Sequence, residues 1–532
     1  MSKSDKIAAE ETPRQNVGRR AAVGGAWMIG ARLLSRSFDL ISMLVLARIL
    51  RPNDFGLVAI AMTVILVLEA VLELPVSQAL VRLENLADDH YNTAFTLSVI
   101  RGLLLSTAIC LISVPFAHFY ADSRLALICC VLSIAPCARG LASPRLADFA
   151  KRLDFSRDFL TEMLGKGTAL MVAVWIALQF HTCWAIVLGT VTSPTVASIA
   201  SYVVAPYRPK FSLKAMPQFS RFLGWITLSQ VISAINWQAD RFLLGKLTSR
   251  SEMGLFTASN DLSNIPLLTL FGPVLRPLHS AFSQLKNDAE QLRSSYQRSA
   301  AAMVTIALPI LLSQSILALP LIRLLFGEQW IGAAPMLRLL AISLIPSAFA
   351  VPLGPLVMSL DRTSIFVKRN SLELCIKLPL VVVGTIYFRF YGVIGARIVS
   401  EVVTIAYCLM QVRSLIGLSL VTQLLKPWKA YLASAAMSAV LYMCLPLVSD
   451  HAILTLAIHT GLVLSASYLV YVAVLLILWR WEGRLPGIEA MTVNTVASLL
   501  RQLNALRRRS SSQRTGWNRS VTTAFPGETA ND

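Results

Sequence analysis

Nineteen charged side chains sit inside stretches otherwise apolar enough to cross a bilayer, eleven of them basic and eight acidic. The cations are Arg32, Arg36, Arg101, Arg139, Lys166, Arg241, Arg276, Arg323, Arg338, Lys377 and Arg397. The acids are Asp39, Glu69, Glu73, Glu162, Asp240, Asp261, Glu373 and Glu401. Even on the low scale a mid-membrane charge costs about 2.5–3.5 kcal/mol, so eleven cations turned toward lipid would cost roughly 30 kcal/mol. They must face water, a carboxylate or a cargo.

Depth separates a smaller group. Arg32, Arg36 and Asp39 stand mid-way along the first apolar stretch, Glu69 and Glu73 along the second, Arg101 in the third, and Arg397 and Glu401 in the twelfth. Arg32 and Arg36 share one helix face, and two planar guanidinium forks make a clamp for a phosphate or pyrophosphate. With Arg101 and Arg397 they are the candidate substrate-binding cations of a cavity. Asp39, Glu69, Glu73 and Glu401 are candidate charge-balancing acids, able to neutralise the arginines between cargoes or to bind a coupling proton or sodium ion. The competing reading is a permanent salt-bridge cluster that fixes helix packing. Lys166, Arg241, Arg276, Arg323, Arg338 and Lys377 lie nearer span ends, where long side chains reach the interface. Glu162 with Lys166, Glu373 with Lys377, and Arg397 with Glu401 stand four apart and can pair within one helix.

The elements that must hold these groups are helices in lipid. Of 532 residues 55% are hydrophobic and 14% charged, whereas a soluble domain carries about 25% charged residues. A crossing helix needs about 20 mainly apolar residues. Fourteen such stretches are expected near 22–47, 55–81, 92–117, 125–144, 160–180, 184–205, 222–245, 254–282, 299–325, 332–360, 371–388, 390–412, 430–448 and 453–479. No connection between them exceeds about 20 residues, which leaves no room for an extramembrane catalytic domain, so a transporter is expected rather than an enzyme.

The net charge of +19 could suggest nucleic acid, but its placement argues against that partner. One set of loops and the two tails hold 31 Lys and Arg, the alternate set only six: Arg48, Arg51, Arg124, Lys246, Arg250 and Arg389. Basic residues are retained on the cytoplasmic side during insertion, so both termini are expected in the cytoplasm. No cleavable signal peptide is apparent in the polar first 20 residues. The eight cysteines show no CxxC pair and no His cluster joins them, so neither a disulfide framework nor a metal site is expected.

A shift of 198 residues lays Trp27 on Trp225, Arg48 on Lys246, Ile49 on Leu247, Asp54 on Glu252, Gly56 on Gly254 and Leu57 on Leu255. A weaker echo sets Pro115 against Pro320, and residues 132–136 against 342–346. Six helices separate the repeated hairpins, so the two copies point the same way, as in the parallel repeats of rocking transporters. The last two spans hold no Asp, Glu, Lys or Arg, which makes them peripheral. The expected organisation is an N-tail at 1–20, a six-helix lobe at 21–205, a linker at 206–221, a second six-helix lobe at 222–412, peripheral helices at 413–479 and a basic tail at 480–532. The fold class is therefore all-α integral membrane, with two lobes around a central cavity.

Three stretches carry a resemblance. LARILRPNDFGLVAIA runs from Leu46 to Ala61, NWQADRFLLGKL with EMGLFTASNDL from Asn236 to Leu262, and PLIRLLFGEQWIGAAPMLRLLA from Pro320 to Ala341. Together with the segment around Lys151-Arg152-Leu153-Asp154-Phe155, they resemble the Wzx-type polysaccharide flippases of the multidrug/oligosaccharidyl-lipid/polysaccharide exporter superfamily. The resemblance implies a MATE-like arrangement and a bacterial inner-membrane location. It also implies transfer of an undecaprenyl-pyrophosphate-linked oligosaccharide to the periplasmic leaflet, with a polysaccharide polymerase and a chain-length regulator as partners. It supplies no catalytic signature. The alternatives are a cation-coupled multidrug exporter, disfavoured by the net positive spans, a lipid II flippase, and an integral-membrane polymerase or ligase, which typically has one large periplasmic loop.

Overall fold

The computed structural model describes residues 34–73, 86–151, 156–216, 225–448 and 452–483, with isolated positions between them. Nine helical runs among the described residues are long and apolar enough to cross a membrane, and the chain is a multi-pass, all-helical membrane protein. Helix α1 covers residues 34–49. It is followed by α2 (Pro52–Val71), α3 (Asp88–Phe119), α4 (Arg124–Leu132), α5 (Ile134–Gly140), α6 (Leu146–Lys151), α7 (Ser156–Phe180) and α8 (Trp184–Val204). The second half begins with α9 (Trp225–Leu247), α10 (Arg250–Leu285), α11 (Ala289–Ile316) and α12 (Ala318–Leu325). It continues with α13 (Ala334–Ser343), α14 (Ser347–Ala350), α15 (Leu353–Ser359) and α16 (Ser364–Ile416), and ends with α17 (Leu420–Leu425), α18 (Trp428–Cys444) and α19 (Ile453–Trp481).

Several spans differ from the unbroken helices expected. The second stops at Val71, and Leu72 and Glu73 leave the helix; in the sequence Pro75 follows, and helices usually end at or before the residue preceding a proline. Glu69 and Glu73 consequently sit at a break and not mid-helix. The fourth span is split at Ser133 and the tenth into α13, α14 and α15, with Pro346 and Pro352 at the joints. The eleventh and twelfth spans merge into α16, folded back at Arg389 with φ 51°.

Local chemistry sets the starts of α2 and α10. Pro52 occupies the first turn of α2, where its missing N–H costs nothing. Ser249 caps α10 through a capping box: its Oγ accepts from the Glu252 backbone N–H at 3.2 Å, and Glu252 Oε2 accepts from the Ser249 N–H at 3.0 Å. These two helix starts meet. A Cβ on Gly56 would collide with the Arg250 carbonyl oxygen, and one on Gly254 with the Pro52 carbonyl oxygen. The reciprocal pattern is what a twofold relation between halves produces, at positions the 198-residue repeat matches.

Around this crossing, Leu57, Ile60 and Ile65 of α2 join Leu244, Met253 and Phe256 of the second half in one buried cluster. Trp330, wholly buried, donates its Nε1–H to the Ala47 carbonyl at 2.8 Å and stands edge-on to Phe55 at 5.1 Å. Peripheral helices α18 and α19 pack on α11 through Met437, Leu441, Leu456 and Ile316. On α19 the outward Leu454, Leu462, Leu469 and Ile477 are 63–74% exposed, which suits contact with lipid rather than water.

The segment between the halves lies as a strap on α3. The Ser212 N–H donates to Thr96 Oγ1 at 2.9 Å, the Ala215 N–H to Thr93 Oγ1 at 3.2 Å, and the Tyr207 hydroxyl to Asn92 Oδ1 at 2.7 Å. The first two satisfy backbone donors that have no helix or sheet of their own.

Candidate functional site

Most of the in-membrane charges among the described residues gather in three places. The first joins α1 and α7. Lys166 Nζ lies 2.7 Å from Asp39 and 3.2 Å from Glu162, and donates to Ser35 Oγ at 2.6 Å. Arg36 lies 3.7 Å from Asp39 one turn away, with its side chain 59% exposed. Asp39 is thus shared between a fixed lysine and an exposed arginine. Arg32, the other arm of the expected clamp, lies outside the described residues.

The second cluster forms at the break after α2. A helix end leaves carbonyls without donors, and here Arg101 of α3 supplies them: Nε donates to the Leu72 carbonyl at 2.6 Å and Nη2 to that of Glu69 at 3.3 Å. The cation also sits at the negative end of the helix dipole. Arg139 of α5 grips the Glu69 carboxylate with both terminal nitrogens, at 2.9 and 3.2 Å, while its own side chain stays 53% exposed. Glu73 has no ion pair among the described residues. Arg101 therefore has a structural task of its own, and Arg139 is the exposed cation of this cluster.

The third cluster lines a cavity of about 460 Å³ inside the second half. At its centre is Asp240 of α9. Lys377 Nζ lies 3.0 Å from Asp240 Oδ2 and donates to the Asn236 carbonyl at 2.6 Å; Arg397 Nε lies 3.7 Å from the same carboxylate oxygen, and its Nη1 donates to Asn260 Oδ1 at 2.6 Å. The other Asp240 oxygen is buried and has no donor among the described residues. Glu373, Glu401 and Arg369 line the same cavity, with Arg369 3.9 Å from Glu373.

Two expected pairings are corrected here. Lys377 does not reach an interface or pair with Glu373; it is buried against Asp240, because the helix face it shares with α9 offers a closer carboxylate. Arg397 turns to Asp240 and Asn260 instead of to Glu401. Arg241, also expected at an interface, pairs with Asp261 at 2.5 Å. Of the candidates, Arg397 and Glu401 share the cavity, Arg101 and Glu69 share the α2 break, and Arg36 and Asp39 share α1. Asp240, Arg139 and Arg369 were missed by the depth argument. The available signal was the spacing of Asn236 and Asp240, four apart on one face of an apolar span.

At the end of the bundle poor in basic residues, polar contacts tie the halves together. Arg48 donates to the carbonyls of Leu324 and, at 3.1 Å, Leu325. Gln329 donates to Ala47 at 2.9 Å, and Tyr120 to the Phe242 carbonyl at 2.8 Å. Lys246 donates to the Phe119 carbonyl and lies 4.6 Å from the centre of its ring. Asp122, nearly enclosed, takes Arg250 of the second half at 2.8 Å and Arg124 of its own half at 3.1 Å. Burial alone would raise the Asp122 carboxyl, but hydrogen bonds from Arg124 and the charges of Arg250 and Arg124 hold it below the usual range.

Known proteins resemble the chain in both sequence and fold. It is 23% identical over 430 residues to the lipopolysaccharide biosynthesis protein WzxC of Escherichia coli (strain K12), covering 80% of this chain and 87% of that one. It is 24% identical over 335 residues to the succinoglycan biosynthesis transport protein ExoT of Rhizobium meliloti (strain 1021), covering 63% and 66%. Among solved structures, the lipid II flippase MurJ in an inward closed conformation superposes with a TM-score of 0.67 at 14% identity, over 85% of this chain and 98% of that one. An inward-facing MATE multidrug transporter of the MOP superfamily superposes with a TM-score of 0.54 at 16% identity, over 72% and 96%. These two likenesses establish the shared fold. A family model described as polysaccharide biosynthesis protein matches residues 45–335, from the end of α1 to the start of α13. The chain thus belongs to the polysaccharide biosynthesis protein family.

Proposed function

We propose that the chain is a flippase that carries a lipid-linked oligosaccharide, with an anionic pyrophosphate head on an undecaprenyl tail, from the cytoplasmic to the periplasmic leaflet of the bacterial inner membrane. The face rich in Lys and Arg is cytoplasmic in this reading, so the tied end faces the periplasm and cargo enters from the cytoplasm. Rocking of the halves then exposes it to the other side. The sugar and the charged head need a polar path, whereas the tail can stay in lipid.

The observation that carries this reading is the state of Arg36 and Arg139. Each lies in an apolar span, each is more than half exposed, and each has one carboxylate partner among the described residues. A guanidinium has five donors, so both retain capacity for phosphate oxygens. The relatives named for lipopolysaccharide biosynthesis and succinoglycan transport support a polymeric sugar as cargo. Asp39, Glu69, Glu73 and Glu401 remain the proposed coupling or balancing acids, with a proton or sodium ion as the coupling species. A polymerase and a chain-length regulator are the proposed downstream partners.

Deleting the gene should make lipid-linked repeat units accumulate on the cytoplasmic leaflet, measured by leaflet-specific labelling of the sugar. The wild-type chain should clear them, while Arg36→Ala at equal protein amount should not. Normal export without the gene would end the proposal.

A further inference from the structure

The six basic residues on the tied face run against the charge asymmetry that orients a membrane protein, and five of them are engaged there. Arg124 and Arg250 hold Asp122, Arg389 lies 4.0 Å from Glu252, and Arg48 and Lys246 each reach the other half. The last two are a related pair. The 198-residue repeat matches Arg48 with Lys246, one at the end of α1 and the other at the end of α9. Arg48 donates to the carbonyls of Leu324 and Leu325, at the end of α12. Lys246 donates to that of Phe119, at the end of α3. The echo that sets Pro115 against Pro320 also sets Phe119 against Leu324. Each half thus sends one cation to a helix C-terminus of the other, where carbonyls lack intrahelical donors and the dipole is negative.

We infer that Arg48 and Lys246 are twofold-related latches, positioning residues that hold the cleft closed at this end until cargo is loaded. The inference deepens the flippase reading and rests on it for the direction of transport. Between the latches, the crossing at Gly56 and Gly254 supplies shape but no charge. When it parts, Asp122 gives up Arg250 of the second half but keeps Arg124 of its own, so that carboxylate is not left unpaired. The latches are suited to a reversible gate because backbone carbonyls, unlike carboxylates, carry no net charge to leave stranded when the halves separate. The stretches that carry the sequence resemblance converge on this seam, since Ala47, Arg48, Gly56, Lys246, Gly254 and Trp330 all belong to them.

Ile60 is a reporter for the seam, being 2% exposed and packed against Gly245 of the opposite half. With Ile60→Cys in the full-length chain, its native cysteines replaced by serine or alanine, a membrane-impermeant maleimide added from the periplasmic side reads opening directly. Arg48→Ala and Lys246→Ala should each raise the labelling rate about tenfold, the factor for losing hydrogen bonds from a charged donor. The double variant should exceed either, and Arg48→Lys should return the rate toward the parent. A variant that merely misfolds would label from both sides and would not be rescued by lysine. Unchanged labelling in both single variants and the double overturns the latch. The readout involves no sugar, so loss of the flippase reading appears separately, as normal export in the deletion strain.

Discussion

Replacing Lys377 with methionine removes an ammonium that lies 3.0 Å from Asp240 and donates to the Asn236 carbonyl at 2.6 Å. The paired side chains are 7% and 5% exposed, so solvent cannot take over. Arg397 at 3.7 Å is the remaining ion-pair partner of that carboxylate among the described residues, and its Nη1 is committed to Asn260. The other Asp240 oxygen already lacks a donor among the described residues. Breaking a buried ion pair by removing one partner costs about 3–5 kcal/mol, roughly a hundredfold to several thousandfold in the folded population. Adding Asp240→Asn removes the stranded charge, and a neutral pair of similar volume is close to neutral for stability. The expected result is a large loss of thermal stability in Lys377→Met and recovery of most of it in the double variant. The assay is thermal unfolding in detergent, followed by the monodisperse fraction, across the full double-mutant cycle. A single variant as stable as the parent, or a double variant no better than Lys377→Met, would refute the assignment of Asp240 as the partner.

Arg101→Ala should destabilise the chain by about 1–3 kcal/mol, because the Leu72 and Glu69 carbonyls lose their donor at a helix end. The same unfolding assay checks this, and Arg101→Lys should recover only part of the loss. Asp122 should show a pH signature: its folded carboxyl is held below the unfolded value of about 4. Its contribution is therefore present above that value and lost as pH falls through the lower folded one. The stability advantage over Asp122→Asn, followed in a pH series, should be full near neutrality and shrink in acid.

The helices were readable because a membrane asks one thing of each span, an apolar run of sufficient length, and nine helical runs among the described residues meet it, whereas α9 and α10, with more polar sequences, do not. The breaks were readable in part. Proline marked the joints at Pro346 and Pro352, and Pro136, which cannot donate to the Leu132 carbonyl, accounts for the split at Ser133 one turn ahead of it. Depth along a span picked out Arg397 and Glu401, which do line the cavity. It passed over Asp240, which stands near the far end of the seventh span. Burial of Asp240 comes from α16 folding back beside α9, and that pairing is a tertiary fact with no trace in spacing along either helix. Arg101 was legible as a deep cation but not as a donor to carbonyls, since the need for it arises only from the break after α2.

The crossing of α2 and α10 is self-complementary: what Gly56 presents to Arg250, Gly254 presents to Pro52. Such an isologous junction requires one sequence only, so two identical copies of an ancestral half could have met there before they were fused into a single gene. Divergence since then has been free to act elsewhere. The 198-residue correspondence puts Ser42 where Asp240 now stands, and Ser42 merely hydrogen-bonds back to Phe38 within its own helix. The two halves thus match at the joint and differ in the charges they carry at corresponding interior positions.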